Sequence, residues 1–252
     1  MTSPLLTVED VIVSFDGFNA LNGMSLKLMP TSIRVLIGPN GAGKSTLCDA
    51  IIGHVRATSG RVIFKGEEIT HMEEYKIVRK GICRKFQTPG VLENLTVVDN
   101  LNLAARSHRE CWRSFAAGLT SEVRGRVDIV LERIGLKDKR KALAGQLSHG
   151  QKQWLEIGMV VASDGDLLLL DEPAAGMSHD ESAQTAELIR ELSKQHSFLV
   201  IDHDMTFVEQ LDAPVSVMHM GRLLKEGTLD EIRNDPQIAA VYLGRVKENN
   251  VA

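Results

Sequence analysis

GPNGAGKST, Gly38 to Thr46, has the spacing G-x-x-x-x-G-K-[ST], a pattern suited to holding phosphate. Gly38, Gly41 and Gly43, with Pro39, Asn40 and Ala42 between them, let a backbone curl with its N–H groups pointing inward. Lys44 brings mobile positive charge to the β- and γ-phosphates, and the Ser45 hydroxyl can ligate Mg²⁺. Thr46 continues into a helix whose dipole favours the anion. LLLLDE, Leu167 to Glu172, ends an apolar run in two acids. Asp171 can hold Mg²⁺ through water, and Glu172 can polarise a water for attack on a γ-phosphate. Two acids at a strand end can equally just mark solvent. LSHGQKQW, Leu147 to Trp154, sets a second helix start with Ser148 near its cap, where backbone N–H groups can bind another anion. His203 in VIDHDM and Gln87 in RKFQTPG would each pass alone as structural or surface residues. Their order with Lys44, LSHGQ and LLLLDE gives them weight.

These residues need rigid elements to hold them. Leu6 to Val13 and Ser25 to Leu28 alternate as strands do, and Ile33 to Ile37 is a short apolar run that leads into the phosphate loop. A helix is expected over Thr46 to Gly53. Arg61 to Phe64, Phe198 to Asp202, Val215 to Met220 and Leu223 to Glu226 are further strand candidates. Four consecutive leucines in Asp166 to Asp171 indicate a strand covered on both faces. From about Thr96 to Ala162 the periodicity turns helical, with helices expected over Val97 to Ala105, Ser121 to Ile134 and Gln151 to Ala162. Between the first two lies a less regular stretch holding Cys111, Trp112 and Phe115. The pattern is that of a parallel α/β core interrupted by a helical subdomain.

The totals bound the function. The 252 residues suffice for a substantial core, and a net charge of −4 gives no broad pull toward nucleic acid or an anionic membrane. Cys48, Cys83 and Cys111 match no zinc spacing and suit reduced thiols. The N-terminal MTSPLLTVEDVIVSF lacks a basic stretch followed by an apolar one, so export is not expected. No stretch reaches the ~18 to 20 apolar residues that span a bilayer.

Taken together, the motifs resemble the ATP-binding-cassette ATPase family over essentially the whole chain. Gly38 to Thr46 matches the Walker A loop, Gln87 the Q-loop glutamine, LSHGQ the family signature and LLLLDE the Walker B strand. Ala175 to Ser178 falls at the D-loop and His203 at the switch histidine. Phe15, in VSFDGFNAL, stands where an aromatic stacks on adenine; Phe18 is a second candidate, with core packing as its alternative. The resemblance implies an ABC-type P-loop NTPase fold: one domain over residues 1–252, with a mixed sheet core, an N-terminal antiparallel β subdomain and an inserted helical subdomain. The catalytic core would take about 1–95 and 163–252, and the helical part about 96–162. It implies ATP hydrolysis with Mg²⁺ held by Ser45, with Gln87 and Asp171 in its surroundings. Glu172 would act as base or water orienter, while His203 and Lys44 stabilise the transferring phosphoryl group. Two cassettes would meet head to tail, so that Ser148, Gly150 and Gln151 of one close over ATP on the other. That would explain two phosphate-binding helix starts on one chain. Where the commoner signature has glycine this chain has His149. A Cβ costs little on a helical backbone, and Gly150 remains at the contact position, so tolerance is expected.

The tail GTLDEIRNDPQIAAVYLG resembles importer ATPases of the branched-chain amino-acid type. Within that group RKFQTPGVLENLTVVDNL, LSHGQKQWLEIGM, DEPAAGMSHDE and HDMTFVEQL look most like ATP-binding subunits of urea importers. Those subunits commonly carry glutamate where this chain has Asp202. The implied partners are two membrane permease subunits, a second related ATPase and a periplasmic solute-binding protein, on the cytoplasmic face of the inner membrane. Urea is the expected solute, with a branched-chain amino acid or another amide as the alternative. Val91, Leu92, Leu95 and Val97 offer a permease docking surface, or are subdomain core. A soluble cassette ATPase acting on ribosomes or DNA would usually carry two cassettes or basic surfaces, and no nucleic-acid partner is expected here.

Overall fold

The computed structural model describes residues 3–85, 90–106 and 120–240. The chain begins with a hairpin, β1 (Leu6–Phe15) and β2 (Phe18–Leu28), followed by β3 (Ile33–Ile37) and α1 (Lys44–Ile51). β4 (Ser59–Phe64), β5 (Glu67–Glu68), α2 (Glu74–Lys80) and β6 (Ile82–Lys85) come next. Three helices follow: α3 (Val97–Arg106), α4 (Ser121–Arg133) and α5 (His149–Ala162). The chain then runs through β7 (Leu167–Asp171), α6 (His179–Leu192), β8 (Ser197–Ile201), α7 (Met205–Leu211), β9 (Val215–His219), β10 (Arg222–Gly227) and α8 (Leu229–Arg233).

Two sheets result. One has the order β2-β1-β4-β5 and is antiparallel throughout; the other has the order β10-β9-β3-β8-β7-β6, parallel except for the β9–β10 pair. The mixed core sheet and the antiparallel N-terminal sheet agree with the expected ABC-type architecture, whereas a purely parallel α/β reading omits the second sheet. β7 explains the leucine run. Leu168 and Leu170 join a core with Leu155, Ile157, Ile189 and Leu192 of α5 and α6; Leu167 and Leu169 join one with Leu47, Ile51, Val8 and Leu26 of α1, β1 and β2. Successive side chains point to opposite faces, so a strand covered on both sides must be apolar at every position. Each such leucine contributes roughly 1.5 to 3 kcal/mol by leaving water.

The expected helices form where polar caps start them. Thr120 accepts the Val123 N–H to open α4, and Ser148 with Gln151 forms a capping box that opens α5. α5 therefore begins two residues earlier than its apolar periodicity indicates, and His149 lies on helical backbone. Val91 and Val97 are buried core, while Leu92 is exposed. Among the described residues no helix is long and apolar enough to cross a membrane. Cys48 and Cys83 are free thiols, both buried, and Cys111 lies outside the described residues.

One buried ion pair joins sheet and helices. Lys85, the last residue of β6, lies 3.2 Å from Glu156 of α5, both side chains under a tenth exposed. Glu156 also accepts the Gly90 N–H at 3.1 Å. Burial pushes the Glu156 carboxyl up, and Lys85 pulls it back. Removing one partner leaves a buried charge uncompensated, so Lys85→Met is expected to lower unfolding free energy by about 3 to 5 kcal/mol. The double variant Lys85→Met/Glu156→Met should recover most of that loss in chemical denaturation; no recovery would mean the pair is not coupled.

Candidate functional site

The phosphate loop runs from the end of β3 into α1. Gly43 precedes the helix at φ 100°, and a Cβ there would lie 2.5 Å from the Ala20 carbonyl oxygen, so glycine is required both by conformation and by space. The Ala42 N–H donates to the Pro39 carbonyl at 3.1 Å, closing the curl. The Lys44 ammonium donates to the Gly38 and Pro39 carbonyls at 2.7 and 3.1 Å, which holds the cation over the loop. An open cleft of about 220 Å³ is lined by Asn40, Gly41, Ala42, Gly43, Lys44, Ser45 and Thr46 together with Asp171, Glu172 and Ile201. Residues more than 120 positions apart in the chain thus face one space.

The acids enter from the end of β7, paired there with the end of β8. Asp171 ends β7 and is 3% exposed. Burial pushes its carboxyl up and Glu172 adds to that; the Arg84 guanidinium, 3.5 Å away, opposes it. Arg84 is itself largely buried and also bonds Asp49 of α1, so one guanidinium ties the helix behind the phosphate loop to the acid in front of it. Glu172 takes a left-handed backbone, φ 47°, its N–H donating to the Ile201 carbonyl at 2.8 Å. A non-glycine residue there carries strain of order 1 to 3 kcal/mol, held by the surrounding sheet. His203 Nδ1 lies 3.1 Å from Glu172 Oε1. Asp202 accepts the His203 and Asp204 N–H groups at 2.7 and 3.0 Å, fixing the turn that presents the histidine.

Ser45 and Asp171 offer one hydroxyl and one carboxylate to the same cleft. Such hard oxygen donors suit Mg²⁺, which commonly takes one or two carboxylates with phosphate oxygens and water. Gln87 lies outside the described residues. The second helix start lies apart from this cleft: Ser148, Gly150 and Gln151 do not line it. Ser148 Oγ accepts the Gln151 N–H at 3.3 Å, and Gln151 Oε1 accepts the Ser148 N–H at 3.2 Å. First-turn N–H groups here have no carbonyl partner within the helix. Phe15 and Phe18 face each other across the first hairpin, 48% and 68% exposed, and neither lines the cleft. Arg84, Asp49 and the Ile201 carbonyl form no motif in the sequence; Asp202 could have been found, because an aspartate followed by a polar turn commonly bonds the next N–H groups.

Residues 21–175 match the family model described as ABC transporter. The chain is 34% identical over 255 residues to "High-affinity branched-chain amino acid transport ATP-binding protein LivG" of Escherichia coli, covering 97% of this chain and 99% of that protein. It is also 34% identical to BraF of Pseudomonas aeruginosa, a protein described in the same words, with the same coverage. The crystal structure of a nucleotide-free ATP-binding cassette from an ABC transporter superposes with a TM-score of 0.84 at 31% identity, covering 95% of this chain and 99% of that one.

Arg84 is the testable newcomer. Arg84→Met removes the charge that pulls the Asp171 carboxyl down, so the carboxyl takes up a proton at still higher pH. A carboxylate that serves Mg²⁺, directly or through water, must be deprotonated, so if Asp171 has that role Mg²⁺-nucleotide affinity should fall by about tenfold or more. The loss should be greater at pH 6 than at pH 8 in a fluorescent-nucleotide titration; equal losses at both would count against this account of Arg84.

Proposed function

Because the chain belongs to the ABC transporter family, we propose that it is an importer's ATP-binding and ATP-hydrolysing subunit, with branched-chain amino acids as the solute class. Within the family assignment the site roles follow from position and chemistry. The loop N–H groups and Lys44 hold the β- and γ-phosphates. Ser45 and Asp171 hold Mg²⁺, which when bound neutralises phosphate charge. Glu172, in the cleft lining, orients water or takes its proton, and His203 is held against Glu172 by the Asp202 turn. Phe15 offers an exposed ring to an adenine.

One observation carries the two-cassette part of this reading: the second phosphate-binding helix start, at Ser148, does not line the cleft that holds Lys44 and Glu172. Two anion sites that do not converge within one chain are served by two nucleotides, with Ser148, Gly150 and Gln151 acting on ATP held by a partner cassette. We extend this to a complex at the cytoplasmic face of the inner membrane, with two permease subunits, a second related ATPase and a periplasmic solute-binding protein. The names of the LivG and BraF relatives support a branched-chain amino acid over the urea expected from the sequence segments.

Glu172→Gln keeps shape but removes the carboxylate that takes a proton. ATP binding should persist while steady-state turnover falls by about 10²- to 10⁴-fold; wild-type turnover would remove Glu172 from this role. For the solute, deletion of the gene should abolish uptake of labelled leucine and leave growth on urea as sole nitrogen source intact. The reverse pattern would return the assignment to urea.

A further inference from the structure

The residue by which the signature stretch departs from the commoner pattern makes a specific contact of its own. His149, the first residue of α5, places Nε2 3.0 Å from the Ala175 carbonyl oxygen. A carbonyl accepts, so this ring nitrogen carries its proton and donates. Ala175 lies three residues beyond Glu172 in a tightly wound segment: its N–H donates to the Glu172 carbonyl at 3.2 Å, and the Met177 N–H to the Ala174 carbonyl at 3.2 Å. Little slack separates Glu172 from the oxygen that His149 holds.

The contact belongs to a built junction between α5 and α6. Glu181 closes the α6 capping box by accepting the Ser178 N–H at 3.0 Å through Oε2, while its Oε1 crowds Gly150, where a Cβ would come within 2.3 Å. One turn further on, Trp154 Nε1 donates to Thr185 Oγ1 at 2.9 Å. The first turns of α5 thus touch the segment following Glu172 through the His149 imidazole and α6 through the Trp154 indole, with the Glu181 carboxylate packed close against Gly150.

We propose that His149 is a positioning residue linking the two phosphate-handling parts of the chain, so that nucleotide held beside Glu172 sets where the same chain presents its Ser148 helix start to a partner. The link rests on the nucleotide chemistry proposed above. A glycine at this position has no side chain to span the gap, and a glutamine has an amide N–H that can.

The test uses the full chain, dilute enough to stay a single chain, with Mg²⁺ and a non-hydrolysable ATP analogue. Amide hydrogen exchange is followed over residues 147–155 and analogue affinity is measured in parallel. In the wild type the analogue should slow exchange there by at least about fivefold, the low end of an ordinary coupling between sites. In His149→Gly the slowing should drop below about twofold, and His149→Gln should restore it, with affinity within about twofold in all three. A merely structural histidine would change exchange equally with and without nucleotide. Normal analogue binding with the same slowing in all three proteins, or with none in the wild type, overturns the link and leaves the nucleotide reading standing. Failure of the wild type to bind the analogue overturns both.

Discussion

Three stretches of backbone meet at the phosphate loop with no room for a side chain between them, and the rest of the molecule is arranged around that approach. Gly221, in the turn between β9 and β10, donates its N–H to the Ala42 carbonyl and accepts the Asn22 N–H, both at 2.9 Å. A Cβ on Gly221 would lie 2.7 Å from the Ala20 oxygen. The loop is thus pinned on one side by the antiparallel sheet and on the other by the last hairpin of the core sheet. A tight curl with Gly41 and Gly43 at positive φ loses chain entropy when it is ordered, and contacts from the two sheets hold it in that one conformation.

The same logic of enforced placement governs the acids. β7 is buried on both faces by apolar helices and strands, so its final residue reaches the cleft as a carboxylate already stripped of much of its water. An uncompensated charge there would be expensive, and Arg84 supplies the compensation while also holding Asp49 of the adjacent helix. Glu172, one residue later, leaves the strand through a left-handed turn and has a partly exposed side chain. Two neighbouring acids therefore live in different surroundings, one desolvated beside a guanidinium and one half-exposed beside an imidazole.

α5 connects these arrangements to the rest of the chain. Its start carries the Ser148 capping box, its side contacts the segment after Glu172 through His149, and two turns on Glu156 receives Lys85 from the strand that bears Arg84. The helix therefore contacts both the strand carrying Arg84 and the turn following Glu172.

What the sequence determined by itself is local. Gly38 to Thr46, the four leucines before Asp171 and the polar start of α5 each confine their information to a dozen residues or fewer, and a short window reads them without knowing the fold. The mixed core sheet and the antiparallel sheet followed from the resemblance these motifs carry. α6, α7 and α8 are not among the expected helices, although Ser178 with Glu181 and Thr228 with Glu231 are capping boxes visible in the chain. Tertiary structure alone decided the partners: Arg84 with Asp49 and Asp171, 35 and 87 residues away, Lys85 with Glu156, and His149 with the Ala175 carbonyl. Each of these is a charged or polar side chain whose type fits a solvated surface equally well. Which of them is buried, and against what, is fixed only when the sheets and helices pack.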